Sequence, residues 1–105
     1  MSKKQLVLEI LTGPLDGHLV MPKKETKLSK KGKGPLIFPW DTELGESQAR
    51  FFREGDDWLI EGFKARHGTY RYASGEPERI EGKARLEARN ILRTCKTLLI
   101  VLKME

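Results

Sequence analysis

The chain is poor in the residues that most catalytic and metal chemistry needs. Its single cysteine, Cys95, excludes an intrachain disulfide and a thiolate metal cluster, and reads as a small buried hydrophobe. His18 lies at a strand start with no Cys, Asp or second His at ligand spacing, so no metal site is expected. The four serines, two histidines and one cysteine fall in no nucleophile motif. The acidic pair Asp56-Asp57 sits in a charged turn, where neighbouring carboxylates face solvent rather than form an acid–base pair. No enzyme activity and no cofactor are therefore expected. Side-chain amides are also scarce: Gln5, Gln48 and Asn90 stand beside abundant Lys, Arg and Glu, a faintly thermophile-like balance. The longest apolar run, residues 98–102, is strand-sized, so no membrane insertion is expected. Residues 1–5 are followed by no signal-peptide core, and the expected location is cytoplasmic.

What the chain has in quantity is short strands and charge. At 105 residues it is read as a single domain, 1–105, with room for one core. The net charge of +5 favours anionic partners without choosing among phosphate, nucleic acid and acidic protein. Residues 6–21 read as a hairpin turned by Gly13-Pro14-Leu15-Asp16-Gly17. Residues 26–28 and 36–38 read as brief strands, the second buried and stopped by Pro39. Alternation then marks a strand pair at 48–53 and 58–63 around the turn Glu54-Gly55-Asp56-Asp57. Residues 69–72 form another strand. Residues 84–93 suit helix and strand about equally, since Ala, Arg, Glu and Leu favour helix. Residues 94–103 form a β-branched, aliphatic central strand. About nine to eleven strands predict an all-β sandwich or barrel. Phe51, Leu59 and Phe63 are assigned to its core, Trp58 to the core or a sheet-covering position, and Trp40 to a partly exposed edge position.

The segment 43–72, ELGESQARFFREGDDWLIEGFKARHGTYRY, carries the most information. Its turn-rich entry, its two alternating strands and its loop closing on Gly68-Thr69 resemble the centre of a forkhead-associated (FHA) domain. The likeness extends over residues 5–103. It implies a β-sandwich of about 9–11 short strands and a protein-interaction role, usually the binding of phosphothreonine peptides. Gly68-Thr69 matches the family's Asn-Gly-Thr loop, in which glycine permits the turn and threonine ties neighbouring loops. Ala88-Arg89 stands where the family often has Gly-Asp.

The resemblance also implies where recognition residues should lie, and there the chain departs from the pattern. The family's Gly-Arg pair falls at Ser29-Lys30, and lysine lacks the bidentate fork of arginine. The phosphate-binding serine falls at Gly45, which retains only its backbone N–H as a donor. The arginine after it is Glu46, which repels phosphate, while Ser47 lies two residues from Gly45. The structural histidine becomes Gln48, and the peptide-gripping asparagine becomes His67. The expected contact surface is thus Ser29, Lys30, Lys31, Gly45, Glu46, Ser47, Arg66, His67, Gly68 and Thr69. The reading this favours is a scaffold or signalling module that binds a protein partner through its loop edge, with phosphothreonine recognition weakened or lost. Two alternatives stay open. One is a functional phosphothreonine-peptide binder using Lys30 and Arg66. The other is a small basic nucleic-acid-binding domain built on the lysine-rich stretch 22–34, with Trp40 or Tyr70 stacking. That stretch reads most simply as a solvated loop, although Gly32 and Gly34 would let its backbone approach an anion.

Overall fold

The computed structural model describes residues 5–63, 68–73 and 75–104. They form two antiparallel sheets packed face to face. Strand β1 (Leu6–Ile10) leads through a short 3-10 turn (Gly13–Leu15) into β2 (Leu19–Val20), which confirms the opening hairpin. Then follow β3 (Thr26–Leu28), β4 (Ala49–Glu54), β5 (Asp57–Gly62), β6 (Thr69–Tyr72), β7 (Glu78–Arg79), β8 (Gly82–Arg85), β9 (Ile91–Thr94) and β10 (Thr97–Met104). One sheet has the order β2-β1-β10-β9-β6-β7, the other β3-β4-β5-β8.

The core is what period-two alternation demands. Leu6, Leu8 and Ile10 of β1 and Leu99 and Val101 of β10 point inward from the larger sheet; Phe51 of β4 and Trp58 and Ile60 of β5 meet them from the smaller one. Leu59 and Phe63 are corrected by the same rule. With Trp58 and Ile60 inward, the odd-numbered neighbours must face outward, and both are half-buried on the outer side. At Gly62, next in the inward set, an added Cβ would collide with the carbonyl oxygen of Ile80, so only glycine lets the two segments approach.

Two further expectations are revised, and one that was left open is decided. Residues 36–38 form no strand. Leu36 and Phe38 are fully buried, but the backbone contributes only an isolated parallel bridge, Ser29 to Ile37. Residues 84–93, left open between helix and strand, hold the end of β8, which pairs with β5, a turn in which Arg89 adopts a left-handed conformation (φ +74°), and most of β9, which pairs with β10. Sheet pairing overrides helix propensity there. The terminal run is not continuous either. A turn at Cys95 and Lys96 separates β9 from β10, with Cys95 at φ +59°, so Cys95 is a half-buried turn residue and not a core hydrophobe.

Candidate functional site

The loops that follow β3, precede β4 and precede β6 converge at one edge of the sandwich. Buried polar side chains, each bonded to main chain of a neighbouring loop, hold them there. Ser29 is fully buried, and its hydroxyl lies 2.9 Å from the Glu46 carbonyl, its nearest acceptor across the gap. The same oxygen accepts the Lys31 N–H at 3.1 Å. Lys30 N–H donates to Gly45 O at 3.4 Å, completing a join between the first and second loops. Gln48 joins the second to the third. Its Oε1 accepts the Gly45 N–H (3.0 Å), and its Nε2 donates to Gly68 O (3.1 Å) and approaches Thr69 Oγ1 (3.4 Å). Gln48 and Thr69 are both buried.

Asp41 forms a second anchor. Its carboxyl group accepts the Glu43 N–H through Oδ1, and the Lys96 N–H and Thr97 hydroxyl through Oδ2 (3.0 and 2.7 Å). This fastens the second loop to the β9–β10 turn. Cys95 lies in the same turn, with its thiol 3.1 Å from the Glu43 carbonyl. Burial, with Asp41 and Glu43 beside it, pushes the Cys95 thiol up to about 11.

The expected site residues therefore divide by depth. Ser29 and Thr69 are buried, and they shape the edge rather than line its surface. Gly45 is half-buried with its N–H already bonded to Gln48, so the backbone donor expected there is committed. Lys31, Glu46 and Ser47 are exposed and Lys30 is half-exposed. Among the described residues, neither Lys30 nor Lys31 has an ion-pair partner. Arg66 and His67 lie outside the described residues. Gly68 has φ +37°, and a Cβ there would sit 3.0 Å from the guanidinium of Arg79 on β7. Arg79 thus joins this edge. Nothing in the charged stretch 76–81 signalled that, because its position comes from the pairing of β7 with β6. Asp41 was equally invisible, its partners being up to 56 residues away.

Other candidates lie apart or are otherwise engaged. His18 Nδ1 is 3.1 Å from Leu15 O, within its own turn. Among the described residues no cluster of His, Cys, Asp and Glu could hold a metal ion, and no helix is long and apolar enough to cross a membrane. Trp40 is partly exposed, as expected, and packs on Phe38 with ring centroids 5.6 Å apart. Tyr70 carries the Arg93 guanidinium 5.0 Å from its ring centroid, so that face is not free to stack on a base.

No protein-family model matches the chain, and no curated protein matches it. Solved structures do match. The FHA domain of the CT664 protein from Chlamydia trachomatis superposes with a TM-score of 0.79 at 17% identity, over 94% of this chain and 97% of that one. The FHA domain of an Arabidopsis thaliana hypothetical protein gives 0.77 at 17% identity, over 94% and 84%. The FHA domain of human APLF, in complex with an XRCC1 bisphospho peptide, gives 0.71 at 16% identity, over 94% and 98%. The chain has an FHA-like fold, an all-β sandwich, as the resemblance implied.

Proposed function

We propose that the chain is a protein-interaction module that engages its partner through the loop edge of residues 29–31, 45–48 and 66–69, with phosphothreonine recognition weakened. One observation carries the reading: the Gly45 N–H is consumed by Gln48 while the Glu46 side chain stands exposed beside it. A phosphate dianion is held by convergent N–H donors and forked guanidinium groups. Here the backbone donor is spent, the cations are lysines that act as point charges, and a carboxylate faces the approach. An acidic but unmodified partner segment makes smaller demands. Its carboxylates can meet the ammonium groups of Lys30 and Lys31 singly, without a preformed anion cage. The complex of human APLF with a bisphospho peptide supports an interaction role for this fold, though not the same ligand.

A second reading keeps phosphate recognition through Lys30 and Arg66. The absence of any ion-pair partner for Lys30 among the described residues favours it. NMR shift mapping against a degenerate phosphothreonine peptide pool, its unphosphorylated twin and an acidic peptide separates the two. Saturable shifts at Lys30, Ser47 and Gly68 are expected with the acidic peptide, with less than about a tenfold preference for phosphate, or about 1.4 kcal/mol. Shifts with the phosphorylated pool alone would establish the second reading. Silence at this edge with all three ligands would end both.

A further inference from the structure

The outer face of the six-stranded sheet carries a row of apolar side chains. Strand register places Leu19 opposite Glu9, Glu9 opposite Ile100, Ile100 opposite Ile91, and Ile91 opposite Tyr72. These five residues form one row across β2, β1, β10, β9 and β6. The adjacent row runs Leu98, Arg93, Tyr70. All lie on the outer side, because the alternating neighbours Leu8, Ile10, Leu92, Leu99 and Val101 are buried in the core. Leu102 adds to the face as the extra residue of a bulge: the register slips between Val7 and Leu8, and Leu102 is left unpaired. Leu19 is 58% exposed and Leu102 38%, two of the four exposed large hydrophobic side chains among the described residues. Contiguous apolar faces on folded proteins are found where one protein meets another.

Arg79 of β7 continues the second row beyond Tyr70 and pairs with Glu81; the other charged residues in the two rows are Glu9 and Arg93. Neither has an ion-pair partner among the described residues. Arg93 instead lies over Tyr70 and Tyr72, at 5.0 and 5.9 Å from the ring centroids, which leaves the edge of its guanidinium free to pair. Glu9 and Arg93 sit on β1 and β9, the two strands that flank β10.

We infer that this face pairs with the same face of a second copy of the chain. A two-fold axis running along β10, between two stacked sheets, lays β1 of each copy over β9 of the other. Glu9 then faces the partner subunit's Ile91, and the partner subunit's Arg93 lies two residues, about 7 Å, further along the strand. That is within reach of an arginine side chain. The symmetry makes the ion pair twice, on either side of a seam of Leu98 and Ile100. Charge is thus self-complementary under the operation that apolar burial favours. The patch is about 20 Å wide, from strands spaced about 4.8 Å apart, which is small for an obligate interface and fits a dimer that dissociates in the micromolar range. The inference is independent of the loop-edge reading, since no residue of segments 29–31, 45–48 and 66–69 lies in these rows and the pairing does not use Arg79.

Sedimentation equilibrium from about 1 μM to about 500 μM tests it across the range expected for so small an interface. The native chain should associate to a dimer. Glu9→Arg and Arg93→Glu should each weaken the dimer about tenfold or more, since each sets like charges face to face. The double variant E9R/R93E should recover most of the loss. All three should keep the native far-ultraviolet circular dichroism, because both side chains project from the outer face. A chain that stays monomeric throughout overturns the inference. So does a double variant no better than either single one, because a different protein partner, or contact through another face, would not respond to the reciprocal swap.

Discussion

The loop edge and the outer face of the four-stranded sheet carry their polar groups in opposite ways. At the loop edge Ser29, Asp41 and Gln48 are buried, and each binds the main chain of a neighbouring loop. On the sheet face the polar groups are charged, more exposed, and bind one another: Arg50 to Glu25 and Glu61 at 2.7 and 2.6 Å, and Lys83 to Glu54 at 3.0 Å. The hydrogen bond to Glu61 raises the already high pKa of Arg50. Arg50 and Lys83 also lie over Phe52, roofing an outward aromatic ring that is itself 7% exposed. Buried bonds to main chain fix where a loop goes, because breaking one strands a backbone group away from water. Exposed ion pairs between flexible side chains mainly screen an apolar surface, and water replaces them at little cost.

The strongest way to break the contrast is at Asp41. Asp41→Ala leaves the Lys96 N–H, the Thr97 hydroxyl and the Glu43 N–H without their acceptor, and should destabilise the fold by about 3 kcal/mol in urea denaturation. Asp41→Asn keeps the volume but turns one oxygen into a donor facing donors, so it should recover only part of the loss. A change below about 0.5 kcal/mol for the alanine variant, the scale of a neutral surface substitution, would erase the distinction.

Cys95 reports on the same loop from a different direction. With its thiol pushed up to about 11, little thiolate exists at pH 8, and alkylation should be on the order of a hundredfold slower than in the urea-unfolded chain. Because the folded state favours the protonated thiol, the stability this contributes is complete below about pH 9 and is lost as the pH rises through about 11. Cys95→Ala should remove that part of the alkaline decline. Equal alkylation rates in the folded and unfolded chains would mean that the turn is open.

Gln48→Leu removes the bridge between the second and third loops and should cost about 2 kcal/mol. It also frees the Gly45 N–H, so the loss should appear with altered amide shifts at Gly45 and Gly68 while the core signals stay in place. At the small end, Glu54→Ala on the sheet face should change stability by less than about 0.5 kcal/mol and add nothing to Lys83→Ala in the double variant. A coupling well above that would make the two regions energetically alike.

Much of the fold was legible because its signals are local. The alternation of residues 48–53 and 58–63 around Gly55, the opening hairpin and the Gly68-Thr69 turn all follow from side-chain period and turn chemistry within a few residues. The misreadings have physical causes as well. The phase of the second strand depends on which residues meet the opposite sheet, so Leu59 was assigned to a core that takes its neighbour Trp58 instead. The β9–β10 turn was hidden because Cys95 and Lys96 carry no turn signature, yet Cys95 takes a left-handed conformation. Ser29 and Thr69, expected on the contact surface, are buried. The bond that consumes the Gly45 N–H depended on which way the Gln48 amide turns in the folded chain.

By itself the amino-acid sequence determined that this chain is a small β-sandwich with a basic surface, since alternation, glycine turns and composition act over short stretches of chain. Only the tertiary structure decided which polar groups are spent and which remain available. Ser29, Asp41, Gln48 and Arg79 meet main chain or turns brought from 17 to 56 residues away, or across a strand pair. It also decided that one sheet face closes over its apolar residues with ion pairs while the other leaves Glu9 and Arg93 without them among the described residues. Register is set by the packing of whole sheets, so two strands with the same local pattern can present a finished surface or an open one.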